Sequence, residues 1–260
     1  MSNTPLAAHH TKHLPILAYF FNRTAFHLLQ RDDGISNGTA LWLGAQVLSI
    51  YLAAQFEDKS RNTITDGVRP KAVELGSGIG LMALVLASLG YDVLATDTAH
   101  VCASVLRANI NANAHLVPGC VHVRELDWDV DPKGWTWDDT CSITSPAYLT
   151  RSDVNQDVLA PPFDLIVSSD TIYDVALVAP LFKTIHALSR PVIYLAIERR
   201  DPTFITTAFT RAGEEWGLLF QRVPVKKLKR AGVGIGWDAE EWEGVEVWRG
   251  RWDGVTGAVK

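Results

Sequence analysis

From Pro70 to Glu198 the chain alternates short apolar runs with longer ones of helical period, and this alternation sets the expected architecture. "KAVEL" reads as a strand, "GLMALVLASLG" as a helix ended by Gly90, "YDVLATD" as a strand, "AHVCASVLRANINAN" as a helix and "CVHVRELDW" as a third strand. "FDLIVSSD" gives a fourth strand, "ALVAPLFKTIHALSR" a helix and "PVIYLAIE" a fifth strand; "PTFITTAFTRAGEEWG" then carries a helix with Pro202 near its first turn. Repeated strand–helix units imply a parallel sheet covered on both faces.

The flanks depart from this rhythm. "AFHLLQR" has the length of a strand and runs into the turn formers "DDGISNG", so residues 1–39 are expected to form an N-terminal extension with a hairpin, and 40–260 the main domain. Ala40 to Phe56 is long, apolar on most faces and free of Pro, which predicts a buried helix; "EDKSRNTITDGVRP" after it reads as an exposed connection. Asp129 to Pro162 lacks sustained periodicity and is too long for an ordinary connection, so an insertion is expected at about 129–162. "LLFQRVPV" and "GVEVWRGRW" read as two strands joined by a Gly-containing loop with no helix between them, an antiparallel pair at one sheet edge.

Composition narrows the class. At 260 residues, 47% apolar and 20% charged, the chain suits one large globular domain. A net charge of −5 supplies no overall field for nucleic acid or anionic lipid. Cys102, Cys120 and Cys141 are odd in number and lack CxxC spacing, which argues against a disulfide framework or a zinc site and for a reducing compartment, cytoplasmic or nuclear. The opening residues lack the pattern of a signal peptide, and no run reaches about 18 apolar residues, so no membrane partner is expected. His9, His10 and His13 are crowded enough to capture a metal, although a mobile terminal segment is the favoured reading.

The candidate chemistry starts at "ELGSGIG", Glu74 to Gly80, between a strand and a helix. Missing side chains at Gly76, Gly78 and Gly80 let the backbone turn tightly and approach a ligand. A dinucleotide loop would place its third glycine where Leu81 stands, and no GK[ST] follows for a phosphate loop. Glu74 suits a cationic amino group rather than a pyrophosphate. Asp97, ending the second strand, can accept from two ribose hydroxyls, and Asp127 with Trp128 in "ELDW" can serve an adenine. Amine, ribose and adenine together describe S-adenosylmethionine. Taken singly, a glycine turn can exist for packing and an Asp-Trp pair can merely end a strand.

With these residues the chain resembles the seven-strand S-adenosylmethionine-dependent methyltransferases from Asp33 to Gly250. The resemblance implies an α/β, Rossmann-like, seven-stranded and mostly parallel sheet with an antiparallel C-terminal strand and helices on both faces. "SSDTIYD" is similar to the D-x-x-Y motif of the family 16 protein lysine methyltransferases, whose "GTALW" (Trp42) and "AIERR" (Glu198) also have counterparts here. "ERRDP" and "WEGVEVWRG" point to the methyltransferase-like twenty-two branch. The implied activity is methyl transfer to a lysine of a protein substrate by a monomer. Asp170 would hold the amine and Tyr173 wall its approach as catalytic residues; Trp42, Ser77 and Ser169 join the glycines, Glu74, Asp97, Asp127 and Trp128 as the expected cofactor-binding set.

Alternatives stand beside each assignment. An Asp-x-x-Tyr after a strand is commonly a helix cap and a core aromatic. Glu198 and Arg199 can form a structural ion pair. Trp135 and Trp137 can form a substrate lid or a partly folded surface loop. A nucleic-acid methyltransferase would use Asn/Asp-Pro-Pro-Tyr/Phe, where Thr171 and Ile172 stand here, although Lys226, Lys227, Lys229 and Arg230 can track phosphates. A noncatalytic cofactor-binding module is the remaining rival.

Overall fold

Strands that are apolar on both faces need two layers of cover, and the computed structural model supplies them. The structure describes residues 5–31, 36–56, 68–145, 158–188, 191–233 and 236–253; residues 32–35 of the expected turn, 57–67 of the expected connection and 146–157 of the expected insertion lie outside the described residues. A hairpin of β1 (Ile16–Phe21) and β2 (Thr24–Leu29) precedes helix α1 (Leu43–Phe56). Then come β3 (Lys71–Leu75), α2 (Leu81–Ser88) and β4 (Asp92–Asp97). The next helix consists of α3 (Ala99–Val101) and α4 (Arg107–Asn113), joined by a π-helical turn at Cys102–Leu106. β5 (Val121–Glu125), β6 (Leu165–Ser169), α5 (Val175–Ala187), β7 (Val192–Glu198), α6 (Pro202–Trp216), β8 (Leu218–Arg222), α7 (Val225–Val233) and β9 (Val245–Trp252) complete the order.

The seven-stranded sheet runs β5-β4-β3-β6-β7-β9-β8, with β9 antiparallel to both of its neighbours. The register pairs Val73 with Leu94 on one side and with Ile166 on the other. Alternate residues divide between two cores. Ala72, Val93, Ala95 and Val167 pack with the buried residues of α1 and α2, while Val73, Leu94, Ile166 and Leu195 pack with those of α5 and α6. Strand order reverses between β3 and β6, so a crevice opens beyond their carboxyl ends, where open α/β sheets bind ligands.

Helix termini follow local chemistry. Asp174 caps α5 through the Ala176 N–H, and Asp201 caps α6 ahead of Pro202. Gly217 ends α6 in the left-handed region that favours glycine.

Two parts of the fold differ from the sequence-based expectation. β8 and β9 do form the antiparallel edge pair, but α7 lies between them instead of a plain loop. Its short apolar set is masked by Lys226, Lys227, Lys229 and Arg230, which face solvent while Leu228 is buried in the core that α1 shares. Leu228→Ala is expected to cost about 2–4 kcal/mol of stability by leaving a cavity. Lys229→Ala should stay within about 0.5 kcal/mol, as thermal denaturation of the two variants would show.

The second difference is the N-terminus. A hairpin is expected within residues 1–39 and is present, but only its second strand is read directly from the sequence, because the alternation of β1 begins just after a polar lead; Leu17, Tyr19 and Phe21 point into the core. The outer edge of β2 is satisfied by side chains rather than by a strand. Asn109 Oδ1 accepts from the Leu29 N–H at 2.7 Å and its Nδ2 donates to the Leu29 carbonyl at 2.9 Å. Asn113 makes the same pair of bonds with His27. Two amides one helical turn apart thus mimic a neighbouring strand and protect an edge that would otherwise invite pairing.

Candidate active site

Beyond the carboxyl ends of β3, β4, β6 and β7 lies a cleft of about 410 Å³. The glycine loop forms its floor. Gly76, Gly78 and Gly80 have φ of +73°, +54° and +86°, a region that favours glycine. A Cβ on Gly76 would also stand 2.6 Å from Thr171 Cγ2, so the loop and the turn after β6 touch where no side chain fits. Gly76, Ser77 and Gly78 line the cleft. Gly80 does not; it precedes α2, packed against Leu106 and Ile110.

Asp97 lines the cleft and also shapes it. Its Oδ2 accepts from the Gly78 N–H and its Oδ1 from the Thr98 N–H, each at 2.8 Å. Burial pushes its carboxyl up to about 6, against the lowering effect of those N–H groups. Glu74, expected to face the ligand, is fully buried away from the cleft lining. Burial drives its carboxyl well above the ordinary range, and its Oε2 has no hydrogen-bond partner. A β-strand alternates its faces, and Glu74 shares with Ala72 the face of β3 that packs toward α1 and α2, one residue short of the turn.

Asp127 and Trp128 line the wall just past β5. The Trp128 ring lies against Gly76, 3.5 Å from where a Cβ would stand, and its buried indole N–H has no acceptor. Trp42 lines the opposite approach, its Nε1–H bonded to the Asn37 carbonyl at 2.6 Å.

Ser169 ends β6 in the same cleft, and Asp170 and Tyr173 follow it there. Asp170 adopts φ +56°, unusual for a residue with Cβ though most tolerable for Asp and Asn. Its N–H donates to the Ala196 carbonyl at 2.9 Å, and its Oδ2 accepts from the Ala45 N–H at 3.2 Å. The carboxylate therefore rests on the first turn of α1, whose free N–H groups carry the positive end of the helix. Oδ1 is shielded from solvent without a partner. Burial lifts the Asp170 carboxyl to about 7; the Ala45 N–H opposes this and the nearby Glu198 charge adds to it.

Asp170 thus caps no helix of its own segment, since Asp174 caps α5. Nor is Tyr173 a core aromatic, for it is 55% exposed at the cleft mouth. Glu198 lines the cleft with Arg200, its partner at 3.2 Å, whereas Arg199 pairs with Glu246; the alternative of a Glu198–Arg199 ion pair does not form. Trp135 and Trp137 form neither a lid nor a loose surface loop. They stack edge to face, Trp137 packs on Phe163 and faces the Arg124 guanidinium, and neither lines the cleft.

Sequence reasoning missed Gly44, Ala45 and Arg200. A glycine as the second residue of an otherwise strong helix was the available signal for the first two. A Cβ there would lie 2.5 Å from both Asp170 oxygens.

Comparison with known proteins bears on this cleft. The pattern of the family described as lysine methyltransferase matches residues 23–141. Human methyltransferase-like protein 22 is 28% identical over 171 residues, 63% of this chain and 38% of that protein, so the chain spans well under half of that relative. The mouse protein N-lysine methyltransferase METTL21A is 30% identical over 204 residues, 75% of this chain and 77% of its own length. Among solved structures, a Streptococcus mutans protein described as a SAM-dependent methyltransferase superposes with a TM-score of 0.50 at 13% identity, covering 91% of this chain and 55% of its own, a likeness of fold. Because the likeness to the mouse enzyme holds over about three quarters of both proteins, and the family pattern covers β2, α1 and the glycine loop, the chain belongs to the lysine methyltransferase family.

Proposed function

We propose that the chain transfers a methyl group from S-adenosylmethionine to the side-chain nitrogen of a lysine in a protein substrate. The observation that carries this reading is the meeting of the glycine loop, Asp97, Asp170 and Tyr173 in one cleft. The residues present suit that cofactor. Gly76 and Gly78 leave a cradle without side chains, Asp97 offers a carboxylate beside it, and Trp128 presents a buried N–H that lacks an acceptor. When bound, the cofactor supplies an activated methyl group on a sulfonium.

The protein's residues then have separable tasks. Asp97 receives ribose hydroxyls through the lone pairs its two backbone bonds leave free. Asp127 serves the adenine amino group, Trp128 and Trp42 flank the ligand with aromatic faces, and Ser77 and Ser169 border it. A lysine amine has an ordinary pKa near 10.4, so fewer than about one in a thousand is nucleophilic at neutral pH. Asp170 holds the incoming ammonium by a charge-assisted bond and keeps its nitrogen in line as the proton leaves to water. Tyr173 walls the approach and favours a cation by its ring face.

We place the reaction in a reducing compartment, cytoplasm or nucleus, where the three free cysteines persist, and treat the enzyme as a monomer. No helix among the described residues is long and apolar enough to cross a membrane. Residues 1–39 act as an extension whose hairpin buttresses α4, and through the bond from Asn109 Nδ2 to the Ile79 carbonyl it steadies the glycine loop. The direct test incubates the full chain with isotopically labelled cofactor and a proteome lacking the protein, and mass spectrometry then looks for a labelled lysine. Label destroyed by nuclease and spared by protease would refute the reading. Asp97→Ala should weaken cofactor affinity roughly ten- to hundredfold in calorimetry, since it removes charge-assisted bonds and frees the Gly78 N–H.

A further inference from the structure

We infer that His9, His10 and Glu241 form a site for a borderline divalent cation of the zinc class, which clips the N-terminal turn to the segment preceding β9. His9 and His10 lie in a short 3-10 turn, Ala8–His10, and Glu241 in another, Ala239–Trp242. Glu241 Oε2 stands 3.6 Å from His9 Nε2 and 3.8 Å from His10 Nε2. The three ligand atoms lie within 4.8 Å of one another. Those separations are too long for hydrogen bonds, and Oε2 is shielded from solvent with no hydrogen-bond partner. They are close to the edge of a tetrahedron around a zinc ion, about 3.4 Å for bonds of about 2.0–2.1 Å. A cation between the three would satisfy the orphaned oxygen.

Both sides of this site are already held in place. The Ala8 N–H donates to Gln46 Oε1 at 2.7 Å, Gln46 Nε2 donates to the Leu6 carbonyl, and Trp237 Nε1 donates to the Pro5 carbonyl at 2.7 Å. Ala7, Ala8 and Thr11 are buried, so the terminal segment is docked and the mobile reading of the histidine cluster does not hold for it. On the other side Trp242, next to Glu241, is buried in the core. Two imidazoles with one carboxylate select zinc-like ions over magnesium or calcium, which prefer all-oxygen sets. The half-exposed histidine rings leave water access to the remaining coordination position. Two residues past that turn, Lys12 Nζ lies 3.6 Å from the Trp42 ring centroid, so the clip also steadies a segment that covers a cleft-lining aromatic.

The test uses the full chain freed of metal by a chelator and titrated with Co²⁺, then with Zn²⁺ against a chromophoric chelator. The expected result is one ion per chain, visible cobalt absorption of tetrahedral nitrogen–oxygen type, and a melting temperature raised by Zn²⁺. Glu241→Ala and His10→Ala should each weaken binding at least tenfold and abolish that thermal shift, with unchanged circular dichroism. Should Glu241→Ala fail to fold, His9→Gln, at an exposed position, gives the same reading. Absence of binding, affinity unchanged in the variants, or a sulfur-to-cobalt charge-transfer band placing the ion on cysteines would each overturn the site. None of these readouts depends on methyl transfer.

Discussion

Asp170→Asn is expected to lower methyl transfer roughly ten- to hundredfold while leaving S-adenosylmethionine affinity within about threefold, as single-turnover assays and calorimetry would measure. The size follows from removing a charge-assisted acceptor for the substrate ammonium. The substitution is mild structurally. Asn tolerates the left-handed backbone that Asp170 adopts, and its oxygen can still accept from the Ala45 N–H. What changes is the charge offered to the lysine.

The same variant separates two pH effects. Burial raises the Asp170 carboxyl to about 7, above its unfolded value, so its stabilising contribution is complete below the ordinary carboxylate range and is lost as pH rises through about 7. Wild type should therefore lose stability relative to Asp170→Asn between about pH 4 and pH 7 and change little above that. Its transfer rate should gain as pH rises through about 7, because only the ionised carboxyl holds an ammonium. A wild-type to variant rate ratio that stays flat across pH 7 would remove Asp170 from this role.

Gly44→Ala should be nearly as damaging, with a tenfold or greater fall in kcat/KM and about 1–3 kcal/mol of lost stability. By helix propensity alone Ala would stabilise α1 by about 1 kcal/mol, so the sign of the effect is diagnostic. The loss arises because the new Cβ would stand 2.5 Å from both Asp170 oxygens and push the carboxylate off the helix terminus. In an Asp170→Ala background the added methyl meets no carboxylate, and its stability cost should vanish. A double-mutant cycle on folding free energy reads that coupling directly. Equal costs in both backgrounds would mean that Gly44 serves packing and not the placement of Asp170.

Much of this was legible along the chain. Strands and helices from Lys71 to Trp216 announce themselves by period because each element buries a stripe or a face, and burial repeats with the geometry of the element. The glycine loop was legible because a left-handed turn at Gly76, Gly78 and Gly80 has few other solutions. Asp170 and Tyr173 were legible because a residue that ends a sheet strand emerges at the crevice. Helix α7 was not, since the four basic residues around Leu228 hide a single buried anchor among solvated charges. That Glu74 is buried outside the cleft lining was not legible, because a motif does not report which neighbouring element covers a strand residue.

By itself, then, the chain's residue order determined which segments become strands and helices, where the backbone must turn without side chains, and which carboxylate and phenol leave β6 together. These are consequences of local geometry and of burial that recurs with it. Only the tertiary structure decided that Asp170 rests on the first turn of α1, 125 residues away, that Asn109 and Asn113 stand in for a strand beside β2, and that Glu241 meets His9 and His10. Each of those contacts joins groups whose separation along the chain bears no relation to any period, so packing of the whole molecule alone brings them within reach.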